Sequence, residues 1–232
     1  MKKILFLLSL TVVLLSSCGS TQSTLTRGTQ YPKLYEEKPV SIVVMPPINQ
    51  TNFVEAKDYF YTTMYRPLCE KGYYAYSPNL MMSVLQEQSA YDGEQFLEAD
   101  LGMFYKALGA DAAMFTIVKS WSRSKLGGTL TAGVEYILRS CKTGETLYHR
   151  EGVITVDTSV NTNNGRSGGL LSMLVDMAAT AINTAATDKV VAGRRCTAFV
   201  LSDMPEGKYG PNYGKDQDFG AGKSYVTATV QE

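Results

Sequence analysis

"SIVVMPPINQ", residues 41–50, sets four apolar residues in an unbroken row ahead of a pair of prolines. A short run without polar alternation is the pattern of a strand covered on both faces, as at the centre of an α/β sheet. Pro46 and Pro47 end it, because a proline ring offers no N–H to a ladder. Such a strand needs helices above and below it, and the flanking sequence supplies them.

Downstream, "EAKDYFYTTMYRPLCEKGYYAYSP", residues 55–78, places Ala56, Phe60, Met64 and Leu68 at a four-residue repeat and closes on Gly72. This is an amphipathic helix, loosened at Pro67. In its run "YFYTTMY", Phe60 and Met64 read as core and Tyr59, Tyr61 and Tyr65 as the fringe. The chain holds 15 tyrosines, a side chain suited to sites dry at one end and wet at the other, so binding stays open. Residues 73–76 form a second short strand. Two helical pieces follow, 80–87 and 94–108, broken at "AYDG"; Phe96, Leu97, Leu101, Phe104, Tyr105 and Leu108 share one side of the second.

"ADAAMFTIVKSW", residues 110–121, is a third strand, and residues 128–160 form a meander. In it Leu130, Ala132, Val134, Tyr136 and Leu138 alternate with mostly polar residues, and "CKTGET" turns between two strands. After the loop "NTNNGRSGG", residues 161–169, a long helix at 170–191 carries Leu170, Leu174, Met177, Ala178, Ala181, Ile182 and Ala185 on one stripe. Its extra alanines, Ala179 and Ala186 among them, fit either a docking face or a stable helix packed on its own sheet. The expected fold is α/β (α+β): a mixed sheet of about five strands with three main helices over residues 41–202. A Gly- and Tyr-rich carboxy-terminal arm, 203–232, lies over it.

The amino terminus points to an anchor. Lys2 and Lys3 precede a largely apolar stretch at 4–15, then Ser16, Ser17 and Cys18. That is a secretory signal at 1–17, shorter than the about 20 residues of a membrane span. "LSSC" at 15–18 resembles the bacterial lipobox. The resemblance implies that the Cys18 sulfur takes a diacylglyceryl group and its new amine an acyl chain such as palmitate. Gly19 and Ser20, without aspartate, resemble the signal for the inner leaflet of an outer membrane, leaving the mature chain facing the periplasm. Residues 18–40, polar and without period, read as the lipidated cysteine and a flexible tether reaching about 25 Å.

Removal of the signal takes two of the 22 basic residues, leaving 20 against 22 acidic ones. With no basic stripe, nucleic acid and bulk anionic lipid are not expected partners. Beyond Cys18 the cysteines are Cys69, Cys141 and Cys196. Three thiols allow at most one intramolecular disulfide in an oxidising compartment; the preferred reading is three small buried apolar residues.

The motifs "VVMPPIN" at 43–49, "PLCEKGYYAYSP" at 67–78, "LGADAAMF" at 108–115, "KTGETLY" at 142–148 and "YGPNY" at 209–213 carry a family resemblance across almost the whole mature chain. In this order they resemble periplasmic domains of the TolB amino-terminal, CsgG and LpoB kind, and above all a family of outer-membrane lipoproteins noted among meningococcal surface antigens. The resemblance implies no established catalytic activity. It implies an outer-membrane lipoprotein in envelope assembly or transport, with a CsgG-like lipoprotein as a candidate partner.

Chemistry-bearing motifs are few. His149 is the single histidine, so a multi-histidine zinc site is ruled out and a Ser-His-Asp triad rests on that one residue. It reads as a surface strand residue, and Gly-x-Ser-x-Gly is absent. "GRSGG" at 165–169 lacks the lysine and spacing of a phosphate-binding loop. "NQT" at 49–51 is a sequon without meaning in a periplasm, and Glu94 with Glu98 reads as a solvated helix face. No catalytic residue, metal site or cofactor is expected.

Two functions stay open. One is a lipid-anchored interaction protein docking through sheet edges or long helices, by self-association or with an envelope lipoprotein. The other is a small-ligand or peptide-binding module with a pocket under the loop 161–169 and the carboxy-terminal arm. A CsgG-like pore is disfavoured by Glu135, Arg139, Lys142, Glu145, Arg150 and Glu151, which leave no lipid-facing band.

Overall fold

The structure is a computed structural model that describes residues 25–87, 89–124, 129–157 and 189–231. Strand β1 (Ser41–Val44) runs through the interior, with Ile42, Val43, Val44 and Met45 fully buried. Ile42 and Val44 face one apolar cluster and Val43 and Met45 another, so the unbroken apolar run is buried on both sides as expected. The prolines interrupt the ladder without ending the line. Met45 N donates to Met114 O at 3.0 Å, the chain passes Pro46 and Pro47, and β2 (Ile48–Asn49) resumes the parallel pairing, with Gln50 N donating to Val118 O at 2.9 Å.

Further strands are β3 (Tyr74–Ala75), β4 (Ala112–Arg123), β5 (Thr129–Ser140), β6 (Thr146–Asp157) and β7 (Tyr225–Gln231). They order as β3-β1-β4-β5-β6-β7, with β2 also on β4. β3, β1 and β4 are mutually parallel, β5 is antiparallel to both its neighbours, and β7 runs parallel to β6. The fold class is the mixed α/β one expected, but the sheet has seven strands rather than about five. The two additions are β2, too short to show a period, and β7, inside the segment read as an arm.

Helix α1 (Arg27–Gln30) and helix α2 (Pro32–Glu37) precede β1, and α3 (Ala56–Glu70) follows it. Ala56, Phe60, Met64 and Leu68 on α3 are all fully buried, in one apolar cluster with Ile42 and Val44 of β1 and Met114 and Val118 of β4. Tyr61 is buried too, its hydroxyl donating to Pro78 O at 2.7 Å, so it belongs to the core rather than the fringe. The opposite face is covered by α4 (Pro78–Glu87), α5 (Glu94–Leu97) and α6 (Gly102–Leu108), through Met81, Leu85, Phe96, Leu101 and Phe104. The single helix expected at 94–108 is two, because Asp100 Oδ1 accepts from Gly102 N at 2.9 Å and restarts the helix there.

Helix α7 (Lys189–Val200) packs beside α3. Gly193 faces α3 at Tyr59 and Thr63. The Thr197 hydroxyl donates to Gly193 O at 2.9 Å and lies 2.9 Å from the Tyr136 hydroxyl and 3.3 Å from that of Thr63, joining both helices to β5 through buried polar groups. The helix expected at 170–191, with Ala179, lies outside the described residues apart from its last positions; the structure carries a helix on to Val200, with Ala192, Cys196 and Val200 at a four-residue spacing and fully buried in the main core.

The expected flexible tether is corrected by the structure from residue 25 onward. Tyr31 and Leu34 are buried in the main core, and Glu37 accepts from the hydroxyls of Ser140 and Thr143, both at 2.6 Å. What fixes this polar segment is two buried carboxylates of the arm. Asp203 accepts from the Tyr31 and Tyr148 hydroxyls at 2.8 and 3.0 Å, from Arg150 Nη1 at 2.8 Å and from Gly222 N at 2.8 Å. Asp216, with no exposed surface, accepts from Arg27 at 2.8 Å, the Tyr35 hydroxyl at 3.0 Å and Glu206 N at 2.9 Å. Burial first, then the facing Asp203, pushes the Tyr31 and Tyr148 hydroxyls above the ordinary tyrosine range. Gly72, in the left-handed region at φ 82°, lets the arm pass against the end of α3: a Cβ there would meet Gly210 N at 2.1 Å.

Candidate functional site

β7 is the strand that the arm delivers to the end of the sheet. "YVTATV" at 225–230 alternates strictly and is rich in β-branched residues, the composition that fits a pleated surface. Val226, Ala228 and Val230 pack against the main core, while Tyr225, Thr227 and Thr229 are exposed. One side of β7 pairs with residues 151–157 of β6; among the described residues no strand pairs with the other. Seven residues span about 23 Å of unpaired backbone at the usual rise. Natural edge strands are guarded by prolines, charges or shortness. The opposite edge strand, β3, is two residues long, but positions 225–230 hold no proline and no charge. The arrangement suits strand addition, in which main-chain bonds give affinity and alternate side chains give selectivity.

Next to it, the part of the sheet left uncovered by the described residues carries a ladder of charges across β4, β5 and β6. Lys119 Nζ lies 2.9 Å from Glu135 and 2.8 Å from Glu151, and Glu135 also meets His149 Nε2 at 2.7 Å. Burial tends to raise the Glu135 carboxyl, but the Lys119 and His149 hydrogen bonds outweigh it and hold the group below its ordinary range. His149 is about half exposed and serves as one rung of this ladder, a surface strand residue as expected. No group of three or more metal-ligating side chains occurs among the described residues. The charges do not all point to water: Arg150 is buried and paired with Asp203, a role the sequence pattern did not reveal.

A cavity of about 140 Å³ lies between α2 and the arm, lined by Leu34, Tyr35, Lys38, Tyr73, Glu206 and Tyr213 among others. It stands beneath the carboxy-terminal arm, where the second functional reading put a pocket. Its volume is below the about 300 Å³ at which small-molecule sites begin. The loop 161–169, the other half of that expected pocket, is outside the described residues, as is Cys18.

All three cysteines described are free. Cys141 and Cys196 are buried, and burial pushes both thiols up to about 12. Cys69 is exposed at the end of α3, which corrects the expectation of three buried thiols: its position is next to Leu68 on the helix, one step off the buried stripe.

The family model "Putative lipoprotein GNA1162-like" matches residues 29–211. The chain belongs to this family. A relative, "Putative lipoprotein NMB1124/NMB1162" of Neisseria meningitidis serogroup B, is 25% identical over 154 residues, covering 66% of this chain and 71% of its own. The crystal structure of lipoprotein GNA1162 from Neisseria meningitidis is 22% identical, covers 65% of this chain and 100% of that one, and superposes with a TM-score of 0.46. A PelC dodecamer from Paraburkholderia phytofirmans is 14% identical over 74% of this chain and 91% of that one, with a TM-score of 0.40. The GNA1162-like family match extends from α1 into the arm, so it takes in residues 29–40 of the segment read as tether and the buried carboxylate Asp203.

Proposed function

We propose that this GNA1162-like lipoprotein is a non-catalytic interaction protein of the bacterial outer membrane. It is held there by acyl chains on Cys18, faces the periplasm, and offers the outer edge of β7 to an extended segment of an envelope partner. The observation that carries the docking site is the run at 225–230, uncharged, free of proline and, among the described residues, unpaired on its outer side. Membership of a lipoprotein family and the lipobox-like "LSSC" support the anchor. Acyl chains on one residue add about 0.8 kcal/mol per buried methylene, so several hold a folded domain firmly. Accessory work in envelope assembly or transport fits a protein whose remaining polar clusters, at Asp203 and Asp216, bond its own elements together.

Two variants test the two halves. Cys18→Ala is expected to abolish acyl labelling and release the chain from membranes; retained labelling overturns the anchor. Thr227→Lys with Thr229→Lys guards the edge in the way natural edge strands do. Both positions are exposed, so the melting temperature is expected to stay close to that of the parent. Loss of the partner captured by cross-linking in intact cells supports the β7 site, and unchanged capture overturns it.

A further inference from the structure

The packing of residues 25–28 on 217–221 sets how close the domain stands to the membrane, and which face it turns there. Ala221 N donates to Leu25 O at 2.7 Å, Arg27 N to Phe219 O at 2.9 Å and Gly28 N to Gln217 O at 2.9 Å. From Cys18 to Leu25 the chain has seven peptide steps, which reach about 25 Å when fully extended. A folded unit of about 200 residues is roughly 40 Å across from its radius of gyration. The leash is shorter than the domain is wide, so the domain cannot turn its far side to the bilayer.

What stands at the root of the leash suits a lipid surface. Leu25 is 42% and Phe219 46% exposed; Leu25 is hydrogen-bonded to Ala221 and Arg27 to Phe219, with the Arg27 guanidinium 5.6 Å from the Phe219 ring centre. Exposed Lys215 and Lys223 flank the strip, and Tyr213 is exposed beside them. Of the two acids between these lysines, Asp216 is buried and spent on Arg27, leaving Asp218 alone on the surface. Apolar and aromatic groups ringed by lysines are the composition of membrane interfaces, where apolar bodies enter the headgroup layer and ammonium groups meet lipid phosphates.

We propose that the surface formed by Leu25, Tyr213, Lys215, Phe219 and Lys223 rests on the phospholipid leaflet that holds the Cys18 lipid. This deepens the proposed anchoring and rests on it. The near-neutral net charge of the chain argues against recruitment from solution, but a face already tethered needs no such recruitment. With this face down, the long strands stand away from the membrane, and β7 starts at its rim.

The test uses the full lipidated chain reconstituted in vesicles of phosphatidylethanolamine and phosphatidylglycerol with brominated acyl chains. Trp121→Phe removes the single tryptophan, and Phe219→Trp or Leu25→Trp places an indole in the strip. Val54→Trp, at the opposite end of α3 from the arm, serves as the distant comparison. The expected result is loss of at least half the indole emission at 219 or 25 and none at 54. Equal emission at all three, in chains that float with the vesicles and carry the acyl label on Cys18, overturns the lipid-facing surface and leaves the anchor standing. Absence of the label overturns both. Lys215→Glu with Lys223→Glu, still anchored, is expected to weaken the quenching at 219; undiminished quenching contradicts the role of the two lysines.

Discussion

Asp203 and Arg150 show how much of this fold turns on single buried charges. Both are more than nine-tenths buried, and each fills its remaining bonds with the other's neighbours: Val200 O and Lys223 O for the guanidinium, tyrosine hydroxyls and Gly222 N for the carboxylate. Asp203→Ala strands a buried cation, so a loss of about 3–5 kcal/mol in urea denaturation is expected, and Arg150→Met in the same chain should restore part of it. A full loss that Arg150→Met leaves unchanged would place the cost elsewhere.

Asp111 makes a smaller, pH-dependent contribution. Burial tends to raise its carboxyl, but Lys142 and the Val40 and Ser41 amides outweigh that, and its pKa falls below the unfolded 3.8. A depressed carboxylate stabilises the fold above its unfolded pKa, and that contribution is lost as pH falls through the folded one. Asp111→Asn should therefore cost about 1–2 kcal/mol at neutral pH, with the difference from the parent shrinking below pH 3.8; a difference constant down to pH 2 would contradict this. Thiol reactivity separates the cysteines: native chain should react rapidly at Cys69 alone, and Cys141 and Cys196 only on unfolding. None of these buried polar pairings was legible in the sequence, because a strand pattern assigns a face to Arg150 but cannot say that a carboxylate 53 residues later comes to meet it.

At the scale of elements, periodicity served where an element buries several residues at a fixed spacing. The α3 repeat, the β5 alternation and the double-faced burial of β1 all appear as read. It failed where an element is short or its packing comes from elsewhere. α2 buries Leu34 alone, and the segment reads as polar because its hold on the domain is through Tyr31, Tyr35 and Glu37. β7 carried a legible alternation at 225–230 but sat at the end of a glycine-rich tail, whose composition suggested an irregular arm. α7 carries a stripe of only three residues, Ala192, Cys196 and Val200, interrupted by Gly193, Arg194 and Arg195 and too short to mark a helix by period alone, and it meets β5 through the polar Thr197. Thr197→Ala is expected to cost about 1–3 kcal/mol by leaving the buried Tyr136 hydroxyl without that partner; a neutral change would show that Tyr136 finds another.

Taken whole, the molecule has two unlike ends along its strands. One end gathers α1, α2, the arm and the turn between β5 and β6; the other holds the start of α3 and the stacked rings of Phe53 and Trp121, 5.7 Å apart. Twelve-residue strands put about 40 Å between them. In the proposed anchoring the first end lies nearest the bilayer, and the β7 edge, unpaired among the described residues, is left open to an extended segment of a partner. The most direct measurement is photo-cross-linking from a benzoyl-phenylalanine placed at Thr229 in cells, against the same probe at Ser83 on the exposed side of α4. The expected outcome is a discrete envelope-protein adduct from Thr229 alone, lost when Thr227→Lys is added. Adducts of equal yield from both sites, or none from Thr229, would contradict docking at the β7 edge.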